Sequence, residues 1–182
     1  MTTTTTVTTD TSSARLAGYA AVLGAITSAV AGAIQVVRVD DGSPEVGLSE
    51  HVVLTLVALS LLLWLPAYVR LGRTSSRLGL VGGYLAGAGA AILAAGMTST
   101  NLHGEDYSWF PVVAAPANLA WLAGSVLLAV ATWRAGTLPR TLAAGLAVVW
   151  LTSIILSQAG GGLVAGAIFA VVGILVARGP RP

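Results

Sequence analysis

Two histidines with neighbouring carboxylates are the residues of this chain whose types best suit metal chemistry. His51 follows Glu50, and Glu105 lies two residues after His103. Imidazole nitrogens and carboxylate oxygens form the mixed ligand sets that zinc and other divalent ions accept. The sequence therefore predicts a candidate metal site at these four residues, provided that the two segments meet. Their spacing matches no known metal motif, and the alternatives are a pH-sensing role and a role as solvated loop groups or helix caps.

A second set of polar and aromatic side chains predicts a ligand pocket. Asn118, Trp121 and Ser125 share a helix face, since residues three or four apart lie on one side. Counting along the helices places Trp121 and Trp150 at similar, near-central depths. Two central tryptophans could form the floor of an outward-opening pocket, whose predicted lining is Asn118, Trp121, Ser125, Trp150, Ser153, Ser157 and Trp109. The alternative is that the tryptophans pack against neighbouring helices while serine and asparagine bond across the bundle.

The composition excludes several kinds of chemistry. The chain has no cysteine, and its nine basic residues are all arginine, which removes thiolate metal sites, disulfides and Schiff-base catalysis. No ionisable residue lies in the middle of an apolar segment, which argues against a proton-coupled pump. No phosphate-binding glycine loop is present. The sequence identifies no cofactor, and a noncatalytic role is favoured over an enzyme.

Long apolar segments indicate the elements that position these residues. Only 9% of the residues are charged, against about 25% in soluble domains. Six segments approach the roughly 20 apolar residues that cross a bilayer: 14–37, 52–71, 78–97, 111–133, 141–157 and 160–176. We therefore expect an all-α, polytopic integral membrane helical bundle of six transmembrane helices in three hairpins. The last two segments are short, so a re-entrant pair is the alternative to two crossings.

The domain boundaries follow from composition. Residues 1–13 are rich in threonine and predict a disordered tail, residues 14–178 form a single transmembrane domain, and residues 179–182 form a short second tail. The arginines alternate with the acids along the chain. Eight of the nine arginines fall on one side of the predicted helices, and Arg38 is the exception. By the positive-inside rule both termini are cytoplasmic in the plasma membrane, and the histidines face outward. Because topology explains these charges, nucleic acid is not an expected partner.

Small residues predict how the helices associate. In a bilayer, association depends on close packing at small side chains. The first helix carries Ala17, Ala21, Ala25, Ala29 and Ala33, and the third carries Gly79, Gly83 and Gly87. Internal packing is the first interpretation, and docking of a partner subunit or a second copy through the first helix is the other. The remaining aromatic residues, among them Trp64 and Tyr68, are predicted to lie near helix ends as interfacial anchors.

Two resemblances accompany these patterns. Residues 120–140 (AWLAGSVLLAVATWRAGTLPR) and 156–163 (LSQAGGGL) resemble uncharacterised small membrane proteins of high-GC actinobacteria, a group that implies a bacterial origin and no activity. Six helices, the alanine stripe and a candidate outward pocket look like the substrate-binding subunits of energy-coupling-factor vitamin transporters. In that family the stripe meets the coupling protein and outer loops close over the vitamin.

Three hypotheses about function result. The first is a noncatalytic membrane protein that binds a small ligand or partner protein through its extracytoplasmic half, as a transporter subunit or accessory subunit. The second is a metal-binding protein or metal-dependent membrane enzyme with its site on the outer loops. The third is a structural oligomer packed through the first helix.

Overall fold

The computed structural model describes residues 8–38, 47–105 and 107–179, and the fold over these ranges is all-helical. Its helices are α1 (Thr8–Val37), α2 (Leu48–Ser75), α3 (Arg77–His103), α4 (Phe110–Ala135), α5 (Arg140–Trp150) and α6 (Gly161–Arg178). After α5 the chain forms a π-helical turn (Leu151–Ile155) and a 3-10 turn (Ser157–Ala159). All helices except α5 are long and apolar enough to cross a membrane.

The helix bounds differ from the predicted segments at several ends, and the differences that bear most on the fold are at the start of α1 and in the fifth helix. α1 begins at Thr8, so residues 8–13 of the threonine-rich tail are helical, while residues 1–7 lie outside the described ranges. Extending an existing helix forms one hydrogen bond per added residue, which allows a polar segment to continue an apolar helix. The fifth apolar helix covers Arg140–Ile155, roughly 24 Å at 1.5 Å per residue, against about 30 Å of hydrocarbon. A short, irregular helix therefore stands where the sequence predicted a full span.

The large apolar side chains point away from the bundle. On α1, Leu16, Leu23 and Ile26 are each more than half exposed, whereas Ala21 and Ala25 are buried. Exposing these side chains to water would cost free energy, but lipid solvates leucine and isoleucine as well as a protein core does. The chain is therefore a multi-pass membrane protein whose outer surface contacts the bilayer.

Helices that follow one another in the chain run in opposite directions, as the contacts of Gly82 with Leu128 and of Gly89 with Ala117 show for α3 and α4, and this gives the bundle two different ends. At the arginine end, α1, α3 and α5 begin and α2, α4 and α6 end, with the charges of Arg15, Arg70, Arg73, Arg77, Arg134, Arg140 and Arg178. At the opposite end, called the acidic end below, lie Arg38, Glu50, Glu105 and both histidines. Seven of the eight described arginines thus mark one end, and the carboxylates Glu50 and Glu105, with Arg38, mark the other.

Small residues form the tightest helix contacts. α1 lies antiparallel against α6: a Cβ atom built on Gly173 would come within 2.7 Å of the carbonyl oxygen of Gly18, and one on Gly32 within 2.7 Å of the backbone nitrogen of Leu163. Of the predicted packing residues, those buried within the chain are Ala17, Ala21, Ala25, Gly79, Gly83 and Gly87; Ala29 is half-buried and Ala33 is exposed. Much of the stripe on α1 is therefore used inside this chain.

Glycine-to-alanine substitutions should distinguish the effect of close helix packing on stability from the effect of helix propensity. A Cβ atom on Gly124 of α4 would overlap the backbone nitrogen of Ala86 on α3, whereas one on Gly87 would meet only Leu65 Cδ2 at 3.7 Å. We expect Gly124→Ala to lower the free energy of unfolding by about 1–3 kcal/mol, the cost of overpacking. Gly87→Ala should instead be neutral or stabilise by up to about 1 kcal/mol, because alanine favours a helix interior. Reversible unfolding of purified protein in mixed micelles measures both, and an equal loss in the two variants would contradict this packing.

Candidate functional site

A buried aromatic cluster joins three helices at the centre of the bundle. Trp64 of α2 stacks on Phe169 of α6 with ring centroids 4.0 Å apart, and Tyr68 meets the same ring edge-on at 5.4 Å. Trp121 of α4 donates a hydrogen bond from Nε1 to the Tyr68 hydroxyl at 2.8 Å. The prediction that Trp64 and Tyr68 are interfacial anchors is wrong, since both are almost fully buried. Their spacing of four residues places them on one helix face, and that face packs on α6.

The predicted pocket residues occupy two different settings. Trp121 and Ser125 are fully buried on α4, and the Trp121 N–H group is directed at α2 through its bond to Tyr68. Trp150 instead donates from Nε1 to Asn118 Oδ1 at 2.9 Å, while the Asn118 amide nitrogen donates to the carbonyl of Ala114. The structure thus brings Asn118 and Trp150 together across α4 and the end of α5.

The other three members of that set lie nearer the acidic end. Trp109, nearly half exposed, stacks on Tyr107 with centroids 5.8 Å apart. Ser157 is half-buried in the 3-10 turn. Ser153 lies in the π-helical turn, and its hydroxyl is buried. Trp109 therefore lies on the surface of the bundle, whereas the Ser153 hydroxyl faces the interior.

A small polar cavity lies beside Ser153, between α1, α2, the π-helical turn and α6. It has a volume of about 20 Å³, and its polar lining includes Ser28, Gln35, Ser60, Trp64 and Ser153. Three side-chain atoms of the described residues are buried without a hydrogen-bond partner: Trp64 Nε1 and Ser153 Oγ, whose residues line this cavity, and Ser125 Oγ of α4, whose residue does not. A buried polar group without a partner costs about 1–3 kcal/mol. The cavity is large enough for one water molecule or one ligand atom of that size.

The hydrogen bonds around this cavity define what it can accept. Ser28 Oγ donates to the carbonyl of Gly162 at 2.9 Å, and Ser60 Oγ donates to the carbonyl of Val57 at 2.7 Å. Their hydroxyl oxygens keep lone pairs with which to accept a bond, while the Trp64 N–H can only donate. None of the described residues that line the cavity is charged. It therefore suits an uncharged group that both donates and accepts hydrogen bonds.

The break in the fifth helix forms one wall of the cavity. Leu156 N donates to Leu151 O at 3.1 Å, a five-residue π-type bond, and Thr152 Oγ1 donates back to Val149 O at 2.9 Å. Such a back-bond competes with the regular helix ladder. Gly160 then adopts a positive φ of 79°, and a Cβ atom on Gly161 would overlap the carbonyl oxygen of Thr152. The glycines thus allow α6 to start directly against the irregular turn.

The predicted metal ligands form separate small networks at the acidic end. Glu50 lies 3.7 Å from Arg38, and His51 Nδ1 lies 2.5 Å from Asn101 Oδ1. His103 Nε2 is 3.4 Å from Glu105 Oε1, and its ring stacks on Tyr107. Over residues 8–38, 47–105 and 107–179, no group of three or more histidine, cysteine, aspartate or glutamate side chains is placed to hold a metal ion.

The sequence analysis named Ser153 as a pocket residue but not most of the other residues that line this cavity. Ser28 lies on the small-residue face of α1, and Ser60 precedes Trp64 by one helical turn on α2. That spacing places a hydroxyl and an indole on one helix face, so the sequence alone could have predicted that these two side chains lie near each other. No spacing, however, indicates that α1 and α6, the two ends of the chain, close the cavity together.

Removing the Tyr68 hydroxyl should reveal the energy of the central hydrogen bond. Tyr68→Phe leaves the buried N–H of Trp121 without its acceptor, and we expect the free energy of unfolding to fall by about 1–3 kcal/mol. Tyr84→Phe is the matched control, because Tyr84 is half exposed and accepts only a long bond from Arg73 at 3.3 Å. Unfolding in mixed micelles compares the two variants, and equal stabilities would contradict the central role of this bond.

Comparisons with models of known protein families, with curated proteins and with solved structures give no match for this chain.

Proposed function

We propose that this chain is a noncatalytic plasma-membrane protein that binds a small uncharged ligand in its extracytoplasmic half, beside the broken fifth helix. The observation that carries the proposal is the pair of unpartnered buried groups, Trp64 Nε1 and Ser153 Oγ, whose residues both line this cavity. Buried polar groups in proteins almost always have partners. A ligand group that bonds to both would supply the missing partners.

The proposed orientation rests on the charges. Arginines flank the apolar segments at one end, and the positive-inside rule assigns that end to the cytoplasm. Both termini are then cytoplasmic, and the helices form three hairpins that open toward the acidic end. The short fifth helix crosses with the help of its π-helical and 3-10 turns. The polar cavity, at the level of these turns and of the start of α6, belongs to the extracytoplasmic half.

The chemistry of the cavity limits the ligand class. Trp64 requires an acceptor, Ser153 can donate or accept, and the absence of a charged lining residue favours a neutral molecule. A volume of about 20 Å³ admits one hydroxyl or carbonyl oxygen in this conformation. The ligand is therefore a small molecule that inserts one such oxygen, while its remainder contacts the irregular turns.

The broken helix gives the site a means of opening. Interrupted helices form the binding sites of many transporters, because their unpaired backbone groups and irregular turns line a cavity. Here the π-helical turn connects to α6 only through the 3-10 turn and Gly160, so the wall that carries Ser153 is the least regular element of the described bundle. A displacement of this wall would enlarge the cavity without separating α1 from α6.

Single cysteines should establish the orientation, since the chain has no cysteine of its own. Ser76→Cys places a thiol between α2 and α3 at the arginine end, and Ser108→Cys places one between α3 and α4 at the acidic end. In intact bacterial cells, a membrane-impermeant maleimide should label only the Ser108→Cys variant. Both should react after lysis, which controls for thiol reactivity. Labelling of the Ser76→Cys variant in intact cells would reverse the proposed topology.

Native mass spectrometry of gently extracted protein should test the ligand site. We expect a co-purifying small molecule whose occupancy falls at least about fivefold in Ser153→Ala, since a lost hydrogen bond is worth about 1 kcal/mol. Ser157→Ala is the matched control, because Ser157 lies in the same break without lining the cavity. Unchanged occupancy in Ser153→Ala, or no bound molecule in the wild-type protein, would contradict the proposal.

A further inference from the structure

A second and larger cavity opens at the arginine end, and two of the helices that line it also line the small cavity. This cleft has a volume of about 620 Å³ and lies between the last turns of α2 and α6 and the link from α4 to α5. Leu71 of α2 and Val176 of α6 line the cleft. Trp64 of α2 and Gly162 of α6 line the small cavity. α2 and α6 therefore carry one cavity toward each end of the bundle.

The layer of protein that separates the two cavities is thin. Trp64, Tyr68 and Leu71 share one face of α2, because they are four and three residues apart. From Trp64, at the small cavity, to Leu71, at the cleft, α2 rises by about 10 Å, a third of the roughly 30 Å hydrocarbon core. Tyr68 fills this layer together with Phe169 and Val172 of α6, and all three are almost fully buried. These three residues are called the barrier below.

The barrier consists of side chains and not of tightly packed backbones. Few Cα atoms of α2 and α6 come close to each other, whereas the backbones of α1 and α6 are in direct contact. The Phe169 ring occupies the space between α2 and α6, stacked on Trp64 at 4.0 Å and edge-on to Tyr68 at 5.4 Å. Displacement of this one ring would remove much of the barrier without separating the closely packed helices.

α2 also carries polar groups at successive levels between the two cavities. Ser60 and Trp64 line the small cavity, the Tyr68 hydroxyl lies in the barrier, and Thr74 lines the cleft. None of these four side chains is an acid or a base at neutral pH. Such groups exchange hydrogen bonds with an uncharged solute, but they do not offset the cost of removing an ion from water. The space between α2 and α6 therefore suits a neutral molecule with hydroxyl groups.

We infer that the chain conducts a small uncharged hydroxyl compound across the membrane, along a path between α2 and α6. The conducted molecule is the ligand of the small cavity, so this role rests on the proposed function. The barrier closes the path in the structure described, as hydrophobic constrictions do in channels. When Phe169 moves aside, the molecule passes from the small cavity, beside Tyr68 and Val172, into the cleft at the arginine end.

Glycerol uptake by vesicles that contain the full chain tests this path, because glycerol is uncharged and its hydroxyls donate and accept hydrogen bonds. Stopped-flow light scattering measures how fast dioleoylphosphatidylcholine vesicles reswell after mixing with glycerol. We expect the wild-type protein to raise this rate at least about threefold above protein-free vesicles, and Phe169→Ala to raise it at least about threefold further, since the width of the constriction limits the flux. Phe110→Ala shortens the other phenylalanine of the chain, at the start of α4, and should match wild type.

Two tryptophan variants test the path through the cleft, and they serve as the test if Phe169→Ala does not fold. Leu175 lines the cleft, whereas its neighbour Ile174 is exposed on the outer surface of the bundle. Leu175→Trp should lower the rate toward that of protein-free vesicles, because the larger side chain narrows the cleft. Ile174→Trp should leave the rate unchanged. Equal rates in these two variants would overturn the path through the cleft.

The remaining outcomes separate conduction from ligand binding. Rates equal to those of protein-free vesicles in both the wild-type protein and Phe169→Ala would overturn conduction. A co-purifying molecule that depends on Ser153 would then still support the ligand site, so the two proposals can fail separately. An equal rise in Phe169→Ala and Phe110→Ala would overturn the assigned barrier in favour of a general loosening of the bundle.

Discussion

Close approach of helix backbones is the constraint on which the rest of this structure depends. Lipid solvates leucine and valine as well as a protein core does, so these side chains give the helices little reason to associate. The chain meets this constraint with glycine and alanine at the contacts and with large aliphatic side chains on the outer surface. Where Gly18 faces Gly173 and Gly124 faces Ala86, the main chains themselves are in contact. Dispersion attraction and weak backbone contacts then act over the length of each helix pair.

Small residues alone would leave the middle of a six-helix bundle empty, and the aromatic cluster fills it. Trp64, Tyr68, Trp121 and Phe169 come from three helices, and all are almost fully buried. The bond from Trp121 to Tyr68 satisfies one of the two indole N–H groups in the cluster. The other, on Trp64, has no partner among the described protein atoms, and Trp64 also lines the small cavity. The same packing that fills the centre therefore leaves one buried N–H group unpaired.

Sequence patterns predicted much of the helical architecture, because hydrophobic length and small-residue spacing are local properties. They did not predict the interior. Trp64 and Tyr68 look like interfacial anchors when their distance from the helix end is counted, and only the position of α6 shows that they face inward. The break after Trp150 is equally hidden, since the π-helical turn contains neither glycine nor proline. The break coincides with a tertiary contact, because only glycine at position 161 fits against the carbonyl of Thr152, whose own side chain bonds back to Val149 O.

Charged side chains are stabilised in different ways at the two ends of the bundle. At the acidic end, opposite charges and polar groups lie close enough to pair, as Arg38 does with Glu50 and His51 with Asn101. At the arginine end, Arg73, Arg134 and Arg178 lie in the last turns of α2, α4 and α6, where their charge offsets the partial negative charge of the helix carbonyl ends. The same side chains flank the apolar helices, so they stabilise the helix ends and also give the bundle its asymmetry of charge.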